Sequence, residues 1–226
     1  MNPTDRTPAS VWRELQRGNA RFIDGNAQHP RQDVDRRNDL AGRQQPLAAL
    51  FGCSDSRLAA EIIFDLGLGD LFVVRNAGHV ISSSVLGSLE YAVDVLEVPL
   101  ILVLGHDECG AVRAAIDTQV DDPIALPPHI AAIVDKIVPA VKKVSRARPS
   151  GPVDSGLVAR EHLRDTVAEL LDESELISHA IATNKVALVG ANYRLSEGLI
   201  VPDVLLGNVT EGPQAHDDEE FQFSAK

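Results

Sequence analysis

The chain has 226 residues, 44% of them hydrophobic, which is enough apolar material to bury a substantial core. The formal net charge of -12 argues against a surface for nucleic acid or an anionic membrane, where lysine and arginine would dominate. No apolar run approaches the roughly 20 residues of a membrane span, and the N-terminus has no apolar signal core. We therefore expect a cytoplasmic protein whose two cysteines stay reduced, without nucleic-acid or membrane partners.

Along the chain, an N-terminal helix is followed first by a polar arm and then by alternating strands and helices. Apolar spacing predicts the first helix from Pro8 to about Gly25. Residues 26–45 are polar and aperiodic, and we expect an extended arm that packs on the body or on a neighbouring subunit. Strands are predicted at 47–51, 71–74, 99–104, 185–190 and 199–205, and helices at 59–64, 84–96, 109–116, 130–144 and 157–182.

This alternation predicts the fold class. Continuously apolar strands that alternate with helices are typical of a parallel sheet covered on both faces. We expect an α/β fold with a central, mostly parallel sheet of about four to five strands flanked by helices. A single domain would comprise a helix and arm (1–45), a catalytic core (46–208) and an acidic, flexible tail (209–226).

The two cysteines lie in two short motifs that both suit zinc chemistry. The first motif is Cys53-Ser54-Asp55-Ser56-Arg57 and the second is His106-Asp107-Glu108-Cys109. Two thiolates and one imidazole form a soft ligand set for Zn²⁺, and three protein ligands leave one tetrahedral position open, as in catalytic sites. The simplest competing interpretation is a pair of inert, buried cysteines.

The predicted strands would bring these motifs together. Cys53 follows the first strand, Arg75 ends the second and His106 follows the third. Ligands in open α/β sheets collect at the carboxyl ends of the strands. Cys109 would lie in the first turn of a helix, where the positive end of the dipole favours a thiolate.

Asp55 and Arg57 are the candidate catalytic pair. If Arg57 holds Asp55 by two charge-assisted hydrogen bonds, the carboxylate stays ionised and oriented toward the open metal position. If the pair breaks, Asp55 could move onto the metal and close the site. The competing interpretation is a local ion pair that only fixes the loop. Arg75 is equally compatible with a structural ion pair and with an anion site, whereas Asp107, Glu108 and His79 are expected to play no part in the metal chemistry.

The paired motifs, about 50 residues apart in an α/β pattern, resemble the beta-class carbonic anhydrases. Further similarity lies in Gln44-Gln45-Pro46, in the segment from Leu71 to Gly78, in Glu90-Tyr91-Ala92-Val93 and in Leu104-Gly105-His106. The similarity covers roughly residues 10–208. It implies reversible hydration of CO₂ to bicarbonate and a proton by zinc-bound hydroxide.

The resemblance also implies residue roles. One Zn²⁺ per chain would be held by Cys53, His106 and Cys109, with Asp55 and Arg57 as gate and orienter. A narrow apolar CO₂ pocket would be formed by Phe72, Ala77 and Tyr91, with Gln44 donating a hydrogen bond to bicarbonate. In this family the pocket lies at a dimer interface, so we expect a homodimer or a dimer of dimers.

One departure from the family concerns regulation. Some members bind a second bicarbonate through a tryptophan, an arginine and a tyrosine, and this closes the site. Arg75 and Tyr193 match two of these positions, but Leu50 stands at the third. We therefore expect no bicarbonate switch of that type, although a pH-driven release of Asp55 from the metal to Arg57 stays possible.

Three other functions are compatible with these motifs. The same site could hydrolyse another heterocumulene such as CS₂ or COS. A non-catalytic zinc-dependent binding or sensing protein would keep Asp55 permanently on the metal. A redox role for Cys53 and Cys109 is disfavoured by the absence of a Cys-x-x-Cys motif.

Overall fold

A computed structural model describes residues 6–123, 125–149 and 151–210. Its centre is one five-stranded sheet. The strands are β1 (Ala48–Cys53), β2 (Leu71–Asn76), β3 (Leu100–His106), β4 (Ala187–Arg194) and β5 (Leu199–Leu206). Their spatial order is β2-β1-β3-β4-β5; β5 runs antiparallel to β4, and the other neighbouring pairs are parallel. The predicted α/β class and mostly parallel sheet are confirmed.

Helices cover both faces of this sheet. Among the described residues they are α1 (Pro8–Ile23), α2 (Val34–Asp39), α3 (Ala60–Ile63), α4 (Ser83–Asp94), α5 (Gly110–Asp117), α6 (Pro128–Asp135), α7 (Val138–Ala147), α8 (Ser155–Glu173) and α9 (Glu175–Ala182). A single 3₁₀ turn, Ala77–His79, follows β2 directly. No helix in this part of the chain is long and apolar enough to cross a membrane.

The core lies in two layers, one on each face of the sheet. Successive residues of a strand point to opposite faces, so Leu50 packs in one apolar cluster and its neighbour Phe51 in the other. All the residues of β1 and β3 are buried, as the apolar strands predicted. The partly exposed strand β2 forms one edge of the sheet.

The N-terminal arm differs from the expected extended segment. Asp33 accepts a hydrogen bond from the backbone N–H of Arg36 (2.7 Å), which caps the short helix α2 inside the arm. The arm also packs on its own chain, because Arg31 forms an ion pair with Asp70 (2.6 Å). Contact of the arm with a neighbouring subunit stays a prediction, and most of the acidic tail (211–226) lies outside the described residues.

Two helices predicted as continuous are each divided. Helix α6 ends before Pro139, which lies in the first turn of α7, because proline inside a helix removes a hydrogen bond and clashes with the preceding turn. Ser174 separates α8 from α9: its backbone is extended and its side chain caps the Ile177 N–H. Apolar periodicity alone predicts neither break, because it continues across both.

Candidate metal centre

Three strand ends meet at one edge of the sheet, as the sequence predicted. Cys53 ends β1, and β2 ends beside it at Asn76, the register partner of Cys53. His106 ends β3. Cys109 immediately precedes α5 and occupies its N-cap position rather than the first helical turn.

The three predicted ligands form a compact, buried cluster. The sulfurs of Cys53 and Cys109 and one ring nitrogen of His106 all lie within 4.8 Å of one another. The Nδ1 of His106 lies 2.7 Å from the carbonyl oxygen of Asp107 and therefore donates to it. This contact leaves Nε2 buried, with a free lone pair and no partner among the described residues. A donor set of two thiols and an unpartnered imidazole nitrogen fits zinc.

The two thiols share their protons unequally. A hydrogen bond from Cys109 lowers the pKa of Cys53 to about 4, helped by His106 and by the backbone N–H of Gly78, and against the effect of burial. Hydrogen bonding to Cys53 and burial raise the pKa of Cys109 above its usual value. Thiols bind a metal cation as thiolates, so zinc would hold both Cys53 and Cys109 in the deprotonated form.

Asp55 is held by Arg57 next to this cluster. The guanidinium donates to both carboxylate oxygens, from Nε to Oδ1 (2.9 Å) and from Nη2 to Oδ2 (2.7 Å). These hydrogen bonds keep the pKa of Asp55 well below its usual value, so the carboxylate is ionised near neutral pH. Oδ2 of Asp55 lies 4.0 Å from Nε2 of His106.

Arg57 also joins the two motifs. Its Nη2 donates to the backbone carbonyl of Glu108 (3.1 Å), one residue before Cys109. The side chain of Asp107 accepts the backbone N–H of Leu195 (2.9 Å), and so fixes the second motif against the chain that follows β4. Among the described residues, the group of possible metal ligands does not include Asp107 or Glu108.

Arg75 forms no ion pair among the described residues and bonds to backbone carbonyls instead; the anion-site interpretation stays a prediction. Arg75 donates from Nε to the carbonyl of Cys53 (2.9 Å) and from Nη2 to the carbonyl of Asp55 (2.6 Å). It therefore clamps the backbone of the first motif.

Leu50 is almost fully buried in the apolar core (2% exposed).

The residues assigned to the substrate pocket are not gathered by one chain. The rings of Phe72 and Tyr91 lie near each other, with centroids 6.1 Å apart, and Tyr91 is 45% exposed. Phe72 is opposite Ala49, four residues before Cys53, which corresponds to about 13 Å along the strand. Ala77 and Gln44 are exposed, and Ala77 begins the turn that touches the metal cluster.

Two residues at the cluster had no local signal in the sequence. The backbone N–H of Gly78 donates to the sulfur of Cys53 (3.4 Å), and His162 of α8 lies 2.7 Å from the carbonyl oxygen of Gly78. His79 lies outside the group of possible ligands among the described residues, and neither of its ring nitrogens has a hydrogen-bond partner there.

A family model described as carbonic anhydrase matches residues 48–200. That stretch contains all three ligands, Asp55 and Arg57. The chain belongs to the β-carbonic anhydrase family. β-Carbonic anhydrases are zinc enzymes, in agreement with the donor set of the cluster.

Named relatives agree with this assignment. Carbonic anhydrase 2 of Mycobacterium tuberculosis is 48% identical over 204 residues, which cover 90% of this chain and 97% of that protein. The β-carbonic anhydrase of Coccomyxa, solved with acetazolamide, is 27% identical with a TM-score of 0.64, covering 83% of this chain and 84% of that one. One of two tetrameric β-carbonic anhydrases of Sordaria macrospora shares the fold (TM-score 0.66, 22% identity, 85% and 96% coverage).

Proposed function

We propose that this chain catalyses the reversible hydration of CO₂ to bicarbonate and a proton at a zinc centre formed by Cys53, His106 and Cys109. The observation that carries the proposal is the buried cluster of their three donor atoms, within 4.8 Å of one another, with His106 Nε2 unpartnered among the described residues. When bound, zinc acts as a Lewis acid and lowers the pKa of a coordinated water, which supplies the nucleophile near neutral pH.

The protein's own contribution is orientation. Asp55, ionised and fixed by Arg57, accepts a hydrogen bond from the attacking oxygen and so directs its lone pair at the CO₂ carbon. The bond from Arg57 to the Glu108 carbonyl fixes this carboxylate relative to Cys109. Because Asp55 is bound by Arg57 and stands beside the cluster, the geometry favours an open site over a permanently closed, non-catalytic one.

Substrate binding completes the proposal. We assign CO₂ to an apolar pocket formed by Phe72, Ala77 and Tyr91, and bicarbonate to a hydrogen bond from Gln44. The register supports a pocket built from two chains, because Phe72 lies about 13 Å along the sheet from Cys53 of its own chain. We therefore propose a homodimer or a dimer of dimers.

We also propose a single-domain, cytoplasmic protein without a bicarbonate switch. One sheet carries the whole cluster, which supports the single-domain organisation. Cys53 and Cys109 are free thiols, which suits a reducing compartment such as the cytoplasm. The absence of a bicarbonate switch stays a prediction; a buried leucine at position 50 offers no hydrogen-bond donor to an anion.

The test is stopped-flow CO₂ hydration by zinc-quantified protein, near neutral pH and about 1.5 units higher. We expect one zinc per chain and CO₂ hydration at both pH values. In Cys53→Ser, the zinc and the activity should both be lost. Activity only at the higher pH would indicate that Asp55 closes the site near neutral pH. One zinc per chain without activity at either pH would contradict CO₂ hydration and favour a zinc-binding protein or a different heterocumulene.

A further inference from the structure

A pair of buried histidines lies behind the metal cluster and has no part in the chemistry described so far. His162 belongs to α8 and His79 to the turn after β2, and their ring centroids are 4.6 Å apart. They are 3% and 1% exposed. Burial lowers the pKa of both imidazoles, so both rings are neutral near neutral pH.

His162 is connected to Cys53 through Gly78. The Nε2 of His162 lies 2.7 Å from the Gly78 carbonyl oxygen, so this nitrogen carries the proton and donates it. The backbone N–H of Gly78 in turn donates to the sulfur of Cys53 (3.4 Å). The peptide unit before the Gly78 Cα is therefore held by the sulfur of Cys53, and the peptide unit after it is held by His162.

Only glycine fits between these two contacts. Gly78 has a φ of +72°, which side-chain-bearing residues rarely adopt. A Cβ at this position would lie 3.0 Å from both the Ala111 Cβ and the Ile137 Cδ1. Because glycine has no Cβ, its own φ and ψ are only weakly restricted. The directions of the Gly78 N–H and carbonyl therefore depend on the groups that bind them.

We propose that His162 is a positioning residue of the metal centre: its Nε2–H holds the Gly78 carbonyl and thereby keeps the Gly78 N–H directed at the sulfur of Cys53. The inference rests on the proposed metal centre. A hydrogen bond to a thiolate favours its charged form and restricts its direction, and partners that orient metal ligands typically contribute about 10- to 100-fold to metal affinity.

Protein stability by itself does not separate a positioning role of His162 from a structural one, so the test needs a readout at the metal. The Nδ1 of His162 is buried without a partner among the described residues, and so are both ring nitrogens of His79 and the Oδ1 of Asn192. Buried polar atoms without partners lower stability relative to apolar side chains of similar size. Leucine would fill this space without such atoms, but it would leave the buried Gly78 carbonyl without its donor.

The experiment measures zinc release from the holoprotein into excess chelator, at one pH and temperature. We expect His162→Leu to release zinc about tenfold faster than wild type. His162→Gln should stay close to wild type, because its amide nitrogen reaches the position of Nε2. Thr166→Val is the matched control on the same helix; its hydroxyl lies 3.5 Å from the His79 carbonyl, and its loss should not change zinc release.

Cobalt-substituted protein provides a second readout. The thiolate-to-cobalt charge-transfer absorption should change in His162→Leu. In His162→Gln and Thr166→Val it should match that of the wild type. If His162→Leu does not fold, His162→Asn replaces it: its amide is one methylene shorter than that of glutamine and does not reach Gly78. His162→Asn should then release zinc faster than His162→Gln.

Three results would overturn the proposal. The first is zinc release from His162→Leu within about twofold of wild type, below the range expected of such a partner. The second is equal release from the glutamine variant and from the leucine or asparagine variant. The third is an equal acceleration in Thr166→Val, which would indicate general loosening of α8. Full zinc retention by Cys53→Ser would instead overturn the metal centre itself, whatever His162 does.

Discussion

At the residue scale, each polar group of the metal centre is held by a partner that fixes its direction. The Asp107 carbonyl fixes the ring of His106, and Arg57 fixes the carboxylate of Asp55. The planar guanidinium matters here because it offers two parallel donors to one carboxylate, whereas a lysine ammonium acts as a point charge. Orientation, rather than charge alone, is therefore what Arg57 supplies.

Arg57→Lys tests this distinction. The pKa of Asp55 would rise toward its ordinary value of about 3.9, so the carboxylate stays ionised at neutral pH in the variant. We nevertheless expect kcat/KM for CO₂ hydration at pH 7.5 to fall roughly 10- to 100-fold, because the direction of the carboxylate is lost. Zinc content, measured in parallel, should stay at one per chain; an unchanged kcat/KM would show that a positive charge suffices.

At the element scale, Asp65 attaches the N-terminal helix and the arm to the turn that follows α3. Its side chain is fully buried and accepts hydrogen bonds from Arg21 of α1 and from the backbone N–H groups of Gln28 and His29 (both 2.9 Å). Burial alone would raise the pKa of Asp65, but these hydrogen bonds outweigh it, and the pKa is lower than usual. One carboxylate thus connects three segments.

Asp65→Asn should reduce the free energy of unfolding by about 3 kcal/mol at pH 7, because it removes the buried carboxylate that pairs with the Arg21 Nε. The folded-state pKa lies below the unfolded value of about 3.9, so this stabilisation is present above that pH and is lost as the pH falls toward the folded-state pKa. The difference between wild type and variant, measured by urea unfolding, should therefore shrink below about pH 4.

Asp24→Asn is the control for this measurement. Asp24 ends α1 and is exposed, and its neutralisation should change the free energy of unfolding by less than about 0.5 kcal/mol. A difference between wild type and Asp65→Asn that stays constant from pH 7 to pH 3 would contradict the assigned role of the carboxylate charge.

At the scale of the whole molecule, the sheet separates the metal cluster from the predicted pocket residues. The six residues of β1 span about 17 Å, with Cys53 at one end and the segment that contains Gln44 leading into the other. Strand β2 is at the edge of the sheet, and Tyr91 is exposed near the end of β1 into which the Gln44 segment leads. Both suit contact with a second copy of the chain. The proposed dimer would reconcile these positions, because its two-fold axis could bring the pocket residues of one chain to the metal cluster of the other.

Mixing two inactive variants tests the shared site. If Gln44 serves the metal centre of the partner subunit, Gln44→Ala and Cys53→Ser should complement each other after subunit exchange. Half of the dimers are then mixed and one of their two sites is intact, so about a quarter of the wild-type CO₂ hydration activity should return. No recovery, despite exchange shown by native mass spectrometry, would place Gln44 at its own chain's site.

The control mixture contains Gln45→Ala in place of Gln44→Ala. Gln45 is the exposed neighbour, and its variant should be active alone, so mixing it with Cys53→Ser should only dilute the activity. Light scattering of each variant checks that the assembly itself is intact.

The amino-acid sequence by itself determined the α/β class, and it identified the three residues whose donor atoms form the cluster as well as the Asp55–Arg57 pair. These features are local: motif residues lie within five positions of one another, and an apolar run of six residues predicts a buried strand without reference to the rest of the chain. The sequence also predicts that the strand ends meet, because parallel strands present their carboxyl ends at one edge of the sheet.

Only the tertiary structure decided which groups support those residues. Arg75 bonds to the carbonyls of Cys53 and Asp55, and His162 bonds to Gly78 across 84 residues of sequence. Hydrogen bonds between segments distant in sequence follow from strand order and helix packing, and neither periodicity nor motif spacing contains that information.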